Sequence, residues 1–179
     1  MIRSRYSVVT AAALFLGAVV VPLTLAGPAA AAVTTGPFTL DINNREDVRD
    51  FYNTVHEAAN GVPDGWTGSI AGCNPGTVSP DYLAATLSRI NYFRTMAGEP
   101  DVTFTDALNT EAQAAALIQS ANNSLNHHPP STGTGSTCWT QTGADGSAAS
   151  NLAMGNAGPA AIDQLMYDHV NTSFPGGGA

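Results

Sequence analysis

Four histidines carry most of the chemistry that this sequence could perform: His56, His127, His128 and His169. An imidazole with an unperturbed pKa near 6.5 can act as a base at neutral pH, and its nitrogen can also bind zinc. His127 and His128 directly precede two prolines, so they are expected where a helix gives way to a loop, a junction that can hold an imidazole at a cleft. Because neighbours in an extended loop point to opposite sides, at most one of the pair is expected to face a site. The alternative is that both are solvent-facing loop residues.

The sequence offers few partners for these imidazoles. Zinc takes four ligands, yet there is no H-E-x-x-H and no C-x-x-C. There is also no G-x-S-x-G and no phosphate-binding glycine loop. His127 could in principle serve as the base for a serine nucleophile, but none of the serines lies in a diagnostic motif. The residues therefore indicate a histidine-centred site without a recognisable nucleophile or a complete set of metal ligands.

Helices are predicted to position this site. Their starts are marked by capping or proline residues ahead of apolar residues at helical spacing. The predicted helices follow Asn44 as far as Gly61, start at Pro80 and end at Gly98, run from Asp106 to about Asn122, and begin again at Pro159. Short strands are predicted at 137–142 and 151–154, with a loose segment at 143–149 between them.

Apolar spacing also predicts which side of each helix is buried. In the second helix this side is Leu83, Leu87, Ile90 and Ala97. In the third helix a stripe of small side chains would admit a close neighbour: Leu108, Ala112, Ala115 and Ala116. In the last helix Ile162, Leu165 and Met166 are expected to face inward.

The chain contains two cysteines, Cys73 and Cys138. An even number of cysteines in an exported chain favours one disulfide, here closing a loop of about 65 residues. In the chain-entropy model such a link contributes about 4 kcal/mol to stability. The alternative is a pair of unpaired thiols.

The N-terminus predicts export. Arg3 and Arg5 precede a charge-free apolar run from Val8 to Ala32 that ends in four alanines. This is the pattern of a secretory signal peptide over residues 1–32, with cleavage after Ala32. The alternative is an uncleaved anchor, since the run is long enough to span a bilayer. We expect a secreted or extracytoplasmic protein with no membrane span after cleavage.

The charge of the chain restricts its partners. The sequence has 6 Lys+Arg and 14 Asp+Glu, and it contains no lysine. Removing Arg3 and Arg5 leaves 4 − 14 = −10 for the mature chain. Such a surface repels phosphate backbones, so nucleic acid and anionic lipid headgroups are poor partners, whereas cations, neutral ligands and basic peptides remain open.

Several segments together resemble a known family: 87–94 (LSRINYFR), 98–100 (GEP), Leu108-Asn109, Ala112-Gln113, His127 and 150–153 (SNLA). They resemble the CAP superfamily (cysteine-rich secretory, antigen 5 and pathogenesis-related proteins, or SCP domain), in particular its bacterial exported members. The resemblance covers roughly residues 82–168. Together with the N-terminal pattern, it divides the chain into a signal peptide at 1–32, an extension with one helix and a cysteine-containing loop at 33–78, and a CAP-like domain at 79–179 whose C-terminal part is expected to be missing.

The resemblance implies an α+β fold, a three-layer α-β-α sandwich with a cleft formed by two histidines and two acidic residues. His127 takes the first histidine position and Asp168 the second acidic one, so these two are the implied ligands for zinc or another divalent cation. Ser150, followed by Asn151, replaces the first acid. The second histidine belongs to a later strand that this chain lacks, and we therefore expect the sandwich to be incomplete at its C-terminal strands.

Two functions follow as expectations. The first is a non-catalytic extracellular binding module for a small hydrophobic ligand such as a lipid or sterol, for a cell-wall component, or for a protein. The second is a metal-assisted or acid-base hydrolase that uses His127 and Asp168. Neither the ligand nor the oligomeric state follows from the sequence.

Overall fold

Helices form the regular secondary structure of the residues that the structure describes. The computed structural model describes residues 33–131, 133 and 135–167. Its helices are α1 (Arg45–Phe51), α2 (Pro80–Met96), α3 (Asp106–Asn122), α4 (Gln141–Ala149) and α5 (Gly158–Tyr167). A π-helical turn at Tyr52–His56 and a 3-10 turn at Glu57–Ala59 extend α1.

The predicted α+β sandwich is wrong for the described residues, which contain no strand and only one isolated β-bridge, between Ser69 and Asn74. The strand predicted at 137–142 is absent: residues 137–140 form a turn and an irregular segment, and residues 141–149, which include the segment predicted to be loose, form α4. Thr140 caps this helix, because its hydroxyl accepts a hydrogen bond from the Gly143 N–H at 3.0 Å. Residues 151–154 are irregular.

Close packing on α3 explains why a glycine-containing segment becomes helical. A Cβ added at Gly143 would lie 2.8 Å from the Ala114 carbonyl oxygen, and one at Gly146 would overlap the Glu111 carbonyl. The two helices can approach this closely only because both positions lack a side chain. Tertiary contact thus offsets the low helix propensity of glycine.

The face that α3 presents differs from the predicted stripe. Ala115 is buried, but Leu108 is 61% exposed, and Ala112 and Ala116 are exposed. The buried residues of α3 are Ala114, Ala115, Leu117, Ile118 and Gln119. The correct face contains a glutamine, which an apolar pattern cannot identify.

The helix starts agree with their sequence signals. Asn44 accepts a hydrogen bond from the Glu46 N–H at 3.0 Å, and Ser79 accepts one from the Tyr82 N–H at 3.2 Å. Thr105 accepts a longer one from Leu108 N–H at 3.4 Å. Each cap satisfies a backbone donor that has no partner within its own helix.

The buried side of α2 is more polar than its apolar spacing predicted. The predicted residues Leu83, Leu87 and Ile90 are half-buried and Ala97 is exposed. The buried residues are instead Ala85, Ser88, Arg89, Asn91 and Tyr92. Likewise, of the three α5 residues predicted to face inward, Ile162 is half-buried, while Leu165 and Met166 are 36% and 56% exposed.

An aromatic core joins α1 to α2. The Phe51 and Tyr92 rings stack with centroids 5.1 Å apart, and Val55 completes the buried cluster. Phe38, Leu40, Phe93 and Met96 pack against it. This core packs the segment before α1 and the α1 turns against α2.

Side-chain amides hold the irregular segments in reciprocal pairs with the backbone. Asn91 accepts from the Val102 N–H at 2.9 Å and donates to the Val102 carbonyl at 3.0 Å. Asn122 makes the same pair with Thr137, at 2.9 and 3.0 Å. These bonds satisfy backbone groups of segments that have no partner within a helix or a sheet.

A disulfide links Cys73 to Cys138 with an S–S distance of 2.06 Å. The predicted pairing is therefore present, and it joins the loop before α2 to the segment before α4. None of the helices within the described ranges is long and apolar enough to cross a membrane. The predicted signal segment 1–32 lies outside those ranges.

Candidate functional site

His127 lies at the C-terminal end of α4. Its Nδ1 is 2.9 Å from the carbonyl oxygen of Ser147, one of the last four residues before the Ser150 cap. Such carbonyls have no partner within the helix. Because a carbonyl only accepts hydrogen bonds, the neutral ring carries its proton on Nδ1, and Nε2 is left as an acceptor. His127 is exposed, so this nitrogen is available to a ligand.

A buried amide supports the His127 loop from below. Gln119 accepts from the Asn126 N–H at 2.8 Å and donates to the Asn126 carbonyl at 2.9 Å. Its Nε2 also lies 2.9 Å from the Ser147 hydroxyl, which in turn donates to the Gly143 carbonyl at 2.7 Å. The residue preceding His127 and the residue that binds its ring are therefore both held by Gln119.

The other predicted site residues lie as follows. Ser150 caps α4 in an extended conformation, half-buried, and Asn151 follows it, exposed. His127, Ser150 and Asn151 therefore all lie at the C-terminal end of α4. His128 is exposed, and its backbone N–H donates to the Asn126 side chain at 2.8 Å. Asp168 and His169 lie outside the described residues.

The described residues do not fit the implied zinc site. Among them, no three His, Cys, Asp or Glu side chains are grouped as a metal would require. His127 offers one nitrogen, Nε2, because Nδ1 is engaged by Ser147. One imidazole is short of the four ligands that zinc takes in proteins.

A second polar cluster, which the sequence patterns did not reveal, ties α2 to α5 and to the π-helical turn. Arg89 is fully buried and forms an ion pair with Asp163. Its Nη2 donates to the His56 carbonyl at 2.8 Å and to Asn60 Oδ1 at 2.7 Å. The contacts link three parts of the chain, so the cluster has a structural role.

The His56 ring lies between two carboxylates. Nδ1 is 3.1 Å from Glu57 Oε1, and Nε2 is 3.4 Å from Asp163 Oδ1. The ring stacks on Tyr52 with centroids 4.8 Å apart. One feature of the sequence could have pointed to this cluster. Arg89 is one of four arginines beyond residue 32 in a chain without lysine, so a buried acidic side chain has few cationic side chains with which to pair.

Hydrogen bonding and burial shift the pKa values of groups near this cluster. Hydrogen bonds with Tyr52 and then with His56 lower the pKa of the Glu57 carboxyl below its ordinary value of 4.5. The same bond to Glu57 raises the pKa of the Tyr52 hydroxyl. For Tyr92, burial is the main cause of a raised pKa. The Tyr52–Glu57 bond is thus favoured when the carboxylate is charged and the phenol is neutral.

Two open pockets lie beside α3. One, of about 240 Å³, is lined by residues of the His127 loop and the end of α3, including Asn126, Pro129 and Gln119. The other, of about 330 Å³, is mainly apolar and is lined at one side by Val78 and Leu83. The first volume lies below the lower limit of roughly 300 Å³ for small-molecule sites, and the second lies just above it.

The comparisons with known proteins give one match. The model of the CAP family, described as the cysteine-rich secretory protein family, matches residues 87–175. This range includes α3, the His127 loop, α4 and α5. No curated protein and no solved structure matches the chain.

Proposed function

Because the chain belongs to the CAP family, we propose that it is an exported protein whose CAP domain binds a ligand outside the cytoplasm. The observation that carries this proposal is the orientation of His127, whose Nδ1 is held by Ser147 while the ring remains exposed. The free Nε2 can accept a hydrogen bond from a ligand hydroxyl or amide. Ser150 and Asn151 add a hydroxyl and an amide at the same helix end.

The ligand that best suits this surface is a cell-wall component rich in hydroxyl and amide groups. The net charge of −10 derived above opposes phosphate-rich partners. His127, Ser150 and Asn151 are uncharged when the imidazole is neutral, so they match a neutral polar ligand. A lipid or sterol would instead suit the mainly apolar pocket beside Leu83.

The Cys73–Cys138 disulfide supports the extracytoplasmic location, because disulfides form and persist in oxidising compartments. To test export, the full-length chain is expressed in a bacterium with a general secretion pathway, and the mass of the product outside the cytoplasm is measured. Cleavage after Ala32 is expected. An intact product that stays in the cytoplasm contradicts the proposal.

Binding is tested by sedimentation of the exported protein with purified bacterial cell walls. We expect His127→Ala to weaken retention roughly tenfold, as loss of one central hydrogen bond of about 1.4 kcal/mol would. His128→Ala is the matched control, since this exposed neighbour makes its described hydrogen bond through the backbone. Equal retention of both variants removes His127 from the site.

The same experiment includes a sterol dispersion and a zinc titration. Sterol binding that Leu83→Trp abolishes and His127→Ala preserves would move the ligand site to the apolar pocket. Failure to bind cell walls, sterol and zinc would sink the proposal of a binding module.

A second candidate function is acid-base hydrolysis, and the unprotonated Nε2 of His127 is the observation that favours it. A base positioned in this way can take a proton from an attacking water or hydroxyl. Digestion of cell-wall and peptide substrates by the exported protein tests the idea. Turnover that survives His127→Ala excludes this residue as the base.

A further inference from the structure

We infer that Gln119 and Ser147 are positioning residues, which together hold His127 in the Nδ1–H tautomer and so present Nε2 as the functional nitrogen. The inference rests on the proposed function for the use made of Nε2. The tautomer itself can be measured without any ligand. The two statements can therefore fail independently.

Both positioning residues are buried. Gln119 is 8% exposed and Ser147 is fully buried, although neither belongs to an apolar face. A buried amide or hydroxyl without partners is costly, so such groups are kept where their hydrogen bonds are satisfied. Both of these groups are satisfied, and the bonds converge on the segment that carries His127.

Gln119 contacts both the loop that carries His127 and helix α4. Its amide forms a two-bond pair with the backbone of Asn126, the residue immediately before His127. This pair holds Asn126, which lies beyond the end of α3, against that helix. The same Nε2 reaches the Ser147 hydroxyl on α4. One side chain thus sets the distance between the His127 backbone and the end of α4.

The His127 ring binds a backbone carbonyl. Ser147 offers its backbone carbonyl to His127 Nδ1, while its own hydroxyl is occupied by Gln119 and by the Gly143 carbonyl. The carbonyl cannot donate, so only the Nδ1–H tautomer of the neutral ring satisfies the contact. The hydrogen bond made by one ring nitrogen decides the role of the other.

The chain supplies a matched control on the same helix. Asn122 forms the same kind of two-bond pair, but with Thr137, which leads into α4 rather than to His127. Substitution of either amide removes one reciprocal pair from α3. Only the loss of the Gln119 pair should affect the His127 ring.

The experiment is a long-range ¹H–¹⁵N NMR measurement of the histidine rings in the full chain at a pH where they are neutral. The His127 signals are assigned by their loss in His127→Gln. We expect the Nδ1–H pattern in the wild type and in Asn122→Leu, and loss of that pattern in Gln119→Leu. Ser147→Ala, a smaller change, is expected to weaken the Nδ1–H pattern less than Gln119→Leu does.

Rescue separates positioning from a general loss of structure. Gln119→Glu keeps the acceptor for the Asn126 N–H but cannot donate when charged, so it should restore only part of the Nδ1–H population. Circular dichroism selects the variants that remain folded. Should Gln119→Leu fail this check, Ser147→Ala and Gln119→Glu provide the comparison.

The outcomes separate the two proposals. A wild-type ring in the Nε2–H form, or a ring unchanged in the folded Gln119 variants, overturns the positioning inference. If Gln119 holds the ring in the Nδ1–H form but His127→Ala is retained by cell walls as the wild type is, the positioning inference is supported and the proposed function is contradicted. If both hold, Gln119→Leu weakens retention by up to about tenfold, the loss expected for His127→Ala, because Gln119 acts only through the orientation of that ring.

Discussion

Arg89 shows how one charged residue can hold three parts of the described fold together. Its guanidinium is completely buried, pairs with Asp163 on α5, and donates to the His56 carbonyl and to Asn60. Burial of a charge is tolerated when it is paired and hydrogen-bonded. The Arg89 Nε has no hydrogen-bond partner within the described residues, so one of the buried donors of the guanidinium is left unpaired there.

Replacing Arg89 with methionine should destabilise the protein by about 3–5 kcal/mol, because Asp163 and the His56 carbonyl lose their buried partner. Urea unfolding followed by the fluorescence of Trp66 and Trp139 measures the change. The double variant Arg89→Met/Asp163→Leu should recover much of it, since the unpaired carboxylate is then removed. Equal stability of the wild type and Arg89→Met would contradict a structural role.

Glu57 is a second residue with a testable effect, because it should make the stability of the fold depend on pH in the acid range. Its hydrogen bonds with Tyr52 and His56 lower its folded pKa below 4.5, so their stabilising effect is complete above that pH. The effect is lost as the pH falls through the folded pKa. Melting temperatures between about pH 6 and about pH 3 should therefore decline less steeply in Glu57→Gln than in the wild type.

Tyr52→Phe is the matched variant for this measurement, because the Tyr52 hydrogen bond is the largest cause of the lowered Glu57 pKa. It should give a pH slope between those of the wild type and Glu57→Gln. A Tyr52→Phe slope identical to that of the wild type would show that the hydroxyl does not set the Glu57 pKa.

At the scale of elements, the helix starts could be predicted and the helix faces could not. The caps Asn44, Ser79 and Thr105 act on backbone groups two or three residues away, so a short stretch of sequence determines them. A buried face depends on which neighbour it meets. Ser88 and Gln119 are buried because of partners on other segments.

Replacing the two α4 glycines that contact α3 tests whether close packing or helix propensity dominates, because the two effects change the free energy of unfolding in opposite directions. By helix propensity alone, Gly143→Ala and Gly146→Ala should each stabilise α4 by roughly 0.5–1 kcal/mol. We expect the opposite, a loss of about 1–3 kcal/mol each, because the added methyl meets the α3 backbone. Urea unfolding measures both variants.

Ala148→Gly, at an exposed position of the same helix, is the control for this pair. It should cost up to about 1 kcal/mol through propensity alone. A stabilised Gly146→Ala variant would show that α4 does not lie this close to α3.

At the scale of the whole molecule, the disulfide is a long-range covalent constraint, because its two cysteines are separated by 65 positions in the sequence. Replacing Cys73 and Cys138 together with serine should lower the free energy of unfolding by about 4 kcal/mol, since the unfolded chain regains the freedom of a long loop. Unfolding of the wild type with and without reductant is the matched comparison. A double variant as stable as the oxidised wild type contradicts this role.

The sequence by itself determined the family resemblance, the helix starts, the pairing of the cysteines and the candidacy of His127. These rest on local capping, on residue type and on the order of short motifs. Asp168 and the proposed signal segment lie outside the described residues and remain predictions. The α+β sandwich did not hold for the described residues, because an implied sheet requires pairing partners that no local signal can guarantee.

Only the tertiary structure decided what surrounds His127. Gln119 and Ser147 are 20 or fewer residues from His127 in the chain but belong to two different helices, and their hydrogen bonds exist only once α3 and α4 pack together. The same packing turned a glycine-rich stretch into α4. Side-chain amides are polar, so a hydrophobic pattern assigns them to the surface, whereas reciprocal bonds with the backbone allow them to be buried.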